Sequence, residues 1–241
     1  MLPRKLVVFD VDGTLLLPGE VDDVCFVRSL REIINVSDIN MDWGSYDCPT
    51  DSGIILEIAL KLSKPDIPKL LLLVRKRYYQ LLSEEVSARR YTQSTTPGAI
   101  RLLRMLVKHP IWCPAIATGG WLEPITLKLA LSGINIRGIP LASSDDSCDR
   151  VDIIKCSVNR AARKQGVNYF QEIVYVGDAN WDQIAAERLG VCFIRAMSDG
   201  NVNGLNAVEL FREPAEFICL LDQLSSQFYQ DLTIMRPTCL R

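Results

Sequence analysis

One pattern occurs three times in this sequence: a helical segment, then a glycine, then a short apolar run. This pattern is the feature that most limits how the chain can fold. Three segments with apolar residues at helical spacing end at a glycine, and a short apolar run follows each of them. The glycines are Gly133, Gly166 and Gly190, and the runs are 139–142, 173–176 and 191–194. Glycine is common just past a helix end, and short apolar runs that alternate with helices indicate buried parallel strands. The sequence therefore predicts an α/β fold with a parallel sheet and helices on both faces.

Residues 19–94 do not follow this pattern. The apolar run 6–9 predicts a first strand that ends at Asp10, but the long segment after it has helical spacing and no convincing strand. Its helical patterns cover 24–34, 51–62 and 70–82. We therefore predict an all-helical cap at 19–94, inserted into an α/β core made of 1–18 and 95–241. An insert at the carboxyl end of a strand lies where α/β sheets bind ligands, so the cap should cover a binding site.

Composition and charge narrow the classes of partner. The 241 residues are 48% hydrophobic and 23% charged, with 27 basic and 29 acidic side chains. The resulting net charge of −2 is unlike the basic surface of a nucleic-acid-binding protein. The longest apolar run, 70–74, is too short to span a membrane, and Asp10 and Asp12 interrupt a leader-like N-terminus. We expect a cytoplasmic protein with no nucleic-acid or membrane partner, and free thiols because its eight cysteines form no C-x-x-C pair.

The sequence contains one histidine, His109, which stands before Pro110 where a helix should end. We interpret it as a helix-end or surface residue. Ser-His-Asp triads, H-E-x-x-H zinc sites and zinc deaminases all use histidine, so this composition argues against them. The glycine-rich patterns that hold nucleotide phosphates do not occur either.

Acidic residues follow two of the predicted strands. Asp10 and Asp12 are two positions apart in an extended segment, so their side chains can lie on the same side. Gly13 permits a sharp turn and leaves backbone N–H groups open to an anion. Asp178 and Asp182 follow a later strand. Four carboxylates in one crevice repel each other unless a cation joins them, and a set of oxygen ligands favours Mg²⁺.

These residues carry a resemblance to a known family. The segment 10–15, DVDGTL, resembles the first motif of the haloacid dehalogenase-like hydrolase superfamily. Thr118 after an apolar strand is similar to its second motif, and Asp178 with Asp182 is similar to its fourth. The resemblance spans 6–18 and 97–195, and phosphoglycolate phosphatase-like members with a helical cap match best. It implies a Rossmann-like core in which the first strand lies between the strands before Thr118 and Asp178.

The resemblance also implies a division of labour among the site residues. Asp10 would attack phosphorus and form an aspartyl-phosphate, and Asp12 would serve as general acid and then as general base. Magnesium would be held by Asp10, the backbone carbonyl of Asp12, and Asp178, with Asp182 binding directly or through water.

The phosphoryl oxygens would be held by the second motif and by backbone N–H groups, which places Thr118, Gly119 and Gly13 at the phosphate. The third motif of the family is a Lys or Arg at a helix start, where many members have Lys-Pro, and this chain lacks that pair. Lys155 lies 23 residues before Asp178 and is the favoured candidate. Arg150, nearer the expected helix start, is the alternative.

The loop 47–53 is a candidate for substrate recognition. Thr50 and Asp51 offer a hydroxyl and a carboxylate, and Pro49 and Gly53 favour a defined turn. The alternative interpretation is that Asp51 only caps the helix that follows it.

These observations predict a magnesium-dependent phosphatase that hydrolyses phosphate monoesters of small metabolites. A sugar phosphomutase shares every core residue, and a non-catalytic binding module on this fold is a further alternative, although the intact acidic residues argue against it. The expected partner is a small phosphorylated metabolite, and the sequence leaves monomer and homodimer open.

Overall fold

The computed structural model describes residues 4–196 and 211–234. Strands and helices alternate along most of the chain. The strands are β1 (Lys5–Phe9), β2 (Trp112–Ala117), β3 (Leu141–Ala142), β4 (Ile173–Gly177) and β5 (Cys192–Arg195). The helices are α1 (Glu20–Ile34), α2 (Asp51–Lys61), α3 (Ile67–Ser87), α4 (Ala99–Lys108), α5 (Leu122–Leu131), α6 (Arg150–Gln165), α7 (Asn180–Leu189) and α8 (Pro214–Ile234), with a short 3₁₀ helix at Trp43–Ser45.

The five strands form one sheet in the order β3-β2-β1-β4-β5, and every pair is parallel. The first strand is central: Val8 lies opposite Ala115 of β2 and opposite Tyr175 of β4. This topology confirms the predicted α/β class and the predicted neighbours of the first strand. It also brings the carboxyl ends of β1, β2 and β4 to the same edge.

Helices cover both faces of the sheet, which explains why the strands are apolar throughout. Successive side chains of β1 point to opposite faces. Val7 and Phe9 pack in one cluster with α4, α5 and α8, whereas Leu6 and Val8 pack in another with α6 and α7. All four side chains are fully buried. The apolar core is therefore split into two layers by the sheet.

Residues 19–94 form helices and add no strand to the sheet. Helices α1 and α3 pack against each other, and their apolar side chains form a third cluster that includes Trp121 from the start of α5. The two ends of this segment lie next to each other. Leu17 N donates to Ser94 O at 3.0 Å, and Thr96 N donates to Leu15 O at 3.0 Å. These contacts lie beside the predicted boundaries, and the division into core and cap remains a prediction.

Other sequence expectations concern single residues. Helix α4 ends at His109 as predicted, and the Nδ1 atom of His109 accepts a hydrogen bond from Trp112 N at 3.0 Å. The cysteines within the described ranges are free thiols. In those ranges, no helix has the length and apolar content required to cross a bilayer.

Candidate active site

A cavity of about 270 Å³ lies at the carboxyl edge of the sheet. Its floor is formed by residues that directly follow three neighbouring strands: Asp10 after β1, Thr118 after β2 and Asp178 after β4. Its opposite wall comes from α1, α2, α3 and the loops between them. The structure therefore brings together the acidic residues that the sequence places far apart, and it sets residues 19–94 over them.

Asp10 is the most enclosed acid facing this cavity, with 4% of its surface exposed. Its Oδ1 accepts a hydrogen bond from Arg150 Nη1 at 2.8 Å, and its backbone N donates to Val176 O at 2.9 Å. Burial, together with the nearby carboxylate of Asp182, raises the pKa of Asp10 well above its usual range, although Arg150 acts in the opposite direction. A further cation beside this carboxylate would lower its pKa.

Gly13 lies in the loop after β1, where the backbone comes so close to Asp178 that a glycine is required. Its φ is +77°, and a Cβ atom there would lie 2.2 Å from Asp178 Oδ2. Thr14 Oγ1 donates to the other oxygen of Asp178 at 3.5 Å. Burial raises the pKa of Asp178 to about 6. A side chain at position 13 would displace this carboxylate from the crevice.

The preference for Lys155 as the third-motif residue is wrong, because Lys155 lies away from the site. The cation at the site is the alternative, Arg150. Helix α6 begins at Arg150, with Asp149 as its N-cap. Arg150 is therefore directed to Asp10, and only 9% of its side chain is exposed. Lys155 is five positions further on, about 140° around the helix. It lies on the outer face, 57% exposed, and pairs with Asp152 at 3.1 Å.

Three carboxylates could share a cation: Asp10, Asp178 and Asp182 each place an oxygen within 4.8 Å of the others. Asp10 and Asp178 line the cavity, whereas Asp182 is fully buried beneath it. The two oxygens of Asp182 accept hydrogen bonds from Tyr175 Oη at 2.8 Å and Ala179 N at 3.2 Å. The donor set consists of oxygen atoms and fits Mg²⁺, with Asp10 and Asp178 as the more open ligands.

The side chain of Asp12 does not join this cluster but turns to Lys128, a residue that the sequence analysis missed. Lys128 Nζ donates to both carboxylate oxygens of Asp12 at 2.8 Å and to Asp22 Oδ2 at 2.6 Å. The lysine is 2% exposed. Burial lowers the pKa of Lys128, but the two aspartates more than offset this and raise it. A lone cation in the otherwise apolar pattern of α5 was the available signal.

The second motif forms a tight loop between Arg150 and residues 19–94. Thr118 is 1% exposed, and its Oγ1 accepts a hydrogen bond from Gly120 N at 3.2 Å. A Cβ atom on Gly119 would lie 2.7 Å from Arg150 Nη2, so a side chain at this position would displace the guanidinium group. The carbonyl oxygen of Gly119 accepts a hydrogen bond from Asp51 N at 2.8 Å.

The loop before α2 lies at the cavity, but the residue that caps the helix is Thr50 and not Asp51. Thr50 Oγ1 accepts a hydrogen bond from Gly53 N at 3.0 Å and donates to Cys148 O at 2.9 Å. The carboxylate of Asp51 accepts a hydrogen bond from Trp121 N at 2.9 Å. Burial raises the pKa of Asp51 to about 7. Because Thr50 supplies the capping oxygen, the interpretation of Asp51 as the helix cap is wrong, and both residues line the cavity.

No protein-family model and no curated protein sequence matches the chain significantly. Solved structures do match. A hydrolase from Pseudomonas syringae has a TM-score of 0.64 and 20% identity, covering 89% of this chain and 98% of its own. CbbY from Rhodobacter sphaeroides, in complex with phosphate, has a TM-score of 0.59 and 19% identity, covering 85% and 95%. A haloacid dehalogenase-like family hydrolase from Streptococcus pneumoniae has a TM-score of 0.53 and 17% identity, covering 92% and 100%.

Identities at this level establish a shared fold, and the coverage extends over nearly the whole of both chains. The central strand with its acidic loop, the parallel sheet and the helical segment above it are together the architecture that the first-motif resemblance predicts. This chain has the haloacid dehalogenase-like hydrolase fold.

Proposed function

We propose that this protein is a magnesium-dependent phosphatase that hydrolyses phosphate monoesters of small metabolites through an aspartyl-phosphate. One observation carries the proposal: Asp10, buried at the end of the central strand, is paired with Arg150 at 2.8 Å and shares a cation-sized space with Asp178. The structural neighbours support it, since two are hydrolases and a third holds phosphate.

In the first half-reaction a carboxylate oxygen of Asp10 attacks phosphorus. The new oxygen–phosphorus bond forms as the bond to the leaving alcohol breaks, and Asp12 gives its proton to the leaving oxygen. In the second, a water oxygen attacks phosphorus, Asp12 takes a proton from that water, and the bond to Asp10 breaks. Inorganic phosphate leaves, and both carboxylates return to their initial states.

Arg150 and the second-motif loop would bind the phosphoryl group. The Nε atom of Arg150 is buried and has no hydrogen-bond partner among the described residues, so it keeps a donor for an anion. Thr118 and the backbone N–H groups of Gly119 and Gly13 line the same floor. Donors fixed in place before the reaction stabilise charge that develops on the phosphoryl oxygens.

Asp10, Asp178 and the backbone carbonyl of Asp12 would hold Mg²⁺. The bound ion would offset repulsion between the carboxylate nucleophile and the phosphate. Asp182 serves best as a positioning residue, because its oxygens already bind Tyr175 and Ala179 and one lies 3.6 Å from Arg150 Nη1.

We further propose that residues 19–94 act as a cap that excludes water and limits the substrate to small metabolites, with Thr50 and Asp51 as substrate contacts. A cytoplasmic location belongs to the same proposal. A sugar phosphomutase would use the same floor, but it would return the phosphoryl group to a sugar and not to water.

Release of inorganic phosphate from p-nitrophenyl phosphate tests the function. We expect turnover with Mg²⁺, none after chelation, and none for Asp10→Asn. Asp152→Asn, on the exposed face of α6, is the matched control and should retain activity. Magnesium-independent turnover, or an active Asp10→Asn protein, would contradict the proposal. Transfer of phosphate between positions of a sugar without release would identify a mutase.

A further inference from the structure

We infer that the site selects phosphate monoesters whose alcohol carries no negative charge, and that it favours an alcohol with an ammonium group. This inference rests on the proposed phosphatase function and deepens it by naming the substrate class. It depends on the charges of the wall that faces the leaving alcohol, opposite Asp10.

The cations that line the cavity, among the residues that the structure describes, are Lys128 and Arg150. Arg150 lies at the Asp10 end and belongs to the phosphoryl site. The ammonium of Lys128 has three hydrogens, and its three contacts go to the two oxygens of Asp12 and to Asp22. A carboxylate or a second phosphate on the leaving alcohol would therefore be desolvated without a free cation beside it.

Acidic groups, in contrast, are in excess on this wall. Asp22 is occupied, because it accepts hydrogen bonds from Lys128 and from the Tyr78 hydroxyl. Asp23 accepts a hydrogen bond from Trp43 Nε1 through Oδ1 at 3.2 Å. Its Oδ2 has no hydrogen-bond partner within the described part of the chain. Asp23 is thus a carboxylate that lines the cavity and retains an oxygen for a ligand.

Aromatic side chains line the same cavity as Asp23. Phe26, Trp43 and Tyr78 line the same wall, and the Phe26 ring centroid lies 5.7 Å from that of Trp43 and 5.5 Å from that of Tyr78. Aromatic faces attract ammonium groups, and a carboxylate among them adds to that attraction while repelling anions. The cavity of about 270 Å³ has room for a small alcohol beside the phosphoryl group.

Three phosphate monoesters of matched length test the inference: 2-aminoethyl phosphate, 2-hydroxyethyl phosphate and phosphoglycolate. With Mg²⁺ present, we expect kcat/KM to fall in that order, with about tenfold or more between the first and the last, because like charges repel in a partly desolvated site. A phosphoglycolate value equal to or above that of 2-aminoethyl phosphate would overturn the inference.

A variant separates specific recognition from a general charge effect. Asp23→Asn keeps an oxygen for Trp43 Nε1 but removes the negative charge. The ratio of kcat/KM for 2-aminoethyl phosphate to that for 2-hydroxyethyl phosphate should fall about fivefold to tenfold. Asp38→Asn, on the exposed surface of residues 19–94, should leave this ratio unchanged. An unchanged ratio in a folded Asp23→Asn protein would also overturn the inference.

The two proposals fail in different ways. If no ester, including p-nitrophenyl phosphate, is hydrolysed, the phosphatase function itself is wrong and the inference falls with it. If p-nitrophenyl phosphate and 2-hydroxyethyl phosphate are hydrolysed but the anionic ester is preferred, only the inference about the substrate class is wrong.

Discussion

The floor and the cap wall of the cavity are held in place by different kinds of contact. The floor, formed by Asp10, Thr118, Arg150 and Asp178, stands on the ends of paired strands and the start of α6. The cap wall, formed by the cavity residues of 19–94, meets the core through the apolar packing of Trp121 against Phe26 and Tyr78 and through polar contacts. Those contacts include Lys128 to Asp22 at 2.6 Å, Trp121 N to Asp51 at 2.9 Å and Ser52 N to Ser144 Oγ at 2.9 Å.

The two regions also differ in their buried cations. Arg150 pairs with Asp10 of the floor at 2.8 Å and makes one longer contact to Pro49 O of the cap wall at 3.4 Å, whereas Lys128 joins Asp12, in the loop after β1, to Asp22 of the cap wall. Substitution of Arg150 or Asp10 should therefore reduce the catalytic rate. Loss of the Lys128 ammonium should loosen the connection between the two regions and lower stability, whereas loss of Asp12 would also remove the proposed general acid and base.

The largest effect is expected for Asp10→Asn. An amide cannot form the acyl-phosphate, so turnover should fall below about 1% of the wild-type rate while the protein stays folded. Initial rates of phosphate release from freshly purified protein, with a thermal melt to check folding, measure this. A time course controls for slow deamidation back to aspartate. Substantial activity at the earliest times would contradict the assignment of Asp10 as the nucleophile.

Metal removal should have an effect almost as large. Chelation should abolish activity, and added Mg²⁺ should restore it, because Asp10 and Asp178 would otherwise repel each other across the crevice. Asp178→Ala should raise the Mg²⁺ concentration for half-maximal activity without a comparable loss of thermal stability. Full activity in excess chelator would contradict a metal-dependent reaction.

Arg150 and Lys155 provide a matched pair of cations on the same helix. Arg150→Ala should reduce kcat/KM by about 3–4 kcal/mol of transition-state stabilisation, whereas Lys155→Ala, on the exposed face, should change it little. Steady-state kinetics of both proteins decide the question. Arg150→Lys, which keeps a charge, should recover part of the loss if Arg150→Ala folds poorly. Greater damage from Lys155→Ala would reverse our assignment.

Lys128→Met should show how strongly the floor and the cap wall are joined. Removing the ammonium leaves two carboxylates facing each other, and we expect a loss of about 2–3 kcal/mol in the free energy of unfolding, less than for a fully buried pair because Asp12 is partly exposed. Urea denaturation measures this. In a double-mutant cycle, Asp22→Asn should be less harmful in the Lys128→Met protein than in the wild type. Additive effects would mean that the two residues are not coupled.

The smallest effect concerns Asp51. Its pKa is raised from 3.8 to about 7, so the folded state binds more protons than the unfolded state between those values. The contribution of Asp51 to stability therefore falls as pH rises from about 4 to about 7, and levels off above that. Asp51→Asn should reduce the change in the free energy of unfolding between pH 4 and pH 7 by on the order of 1–2 kcal/mol. Thermal melts of both proteins across this range test it, and parallel curves would refute it.

The floor could be predicted from the sequence because its residues lie in short segments at strand ends. A strand fixes where the next two or three side chains point, so Asp10, Thr118 and Asp178 could be placed from local pattern alone. The third motif was misplaced because Lys155 was chosen for its 23-residue spacing from Asp178, and spacing along the chain does not show which face of α6 a side chain occupies. Lys128 was missed because its burial depends on Asp12 and Asp22, which are more than 100 positions away in the sequence.

The paired connections at the base of residues 19–94 have a consequence for how such proteins diversify. Leu17 and Ser94 are joined by a backbone hydrogen bond of 3.0 Å, so the inserted segment begins and ends at nearly the same point. Any insert whose two ends are equally close could be exchanged there by recombination without altering the register of the sheet. If residues 19–94 choose the substrate, as we propose, selection could change that choice by replacing the segment while the floor beneath it stayed fixed.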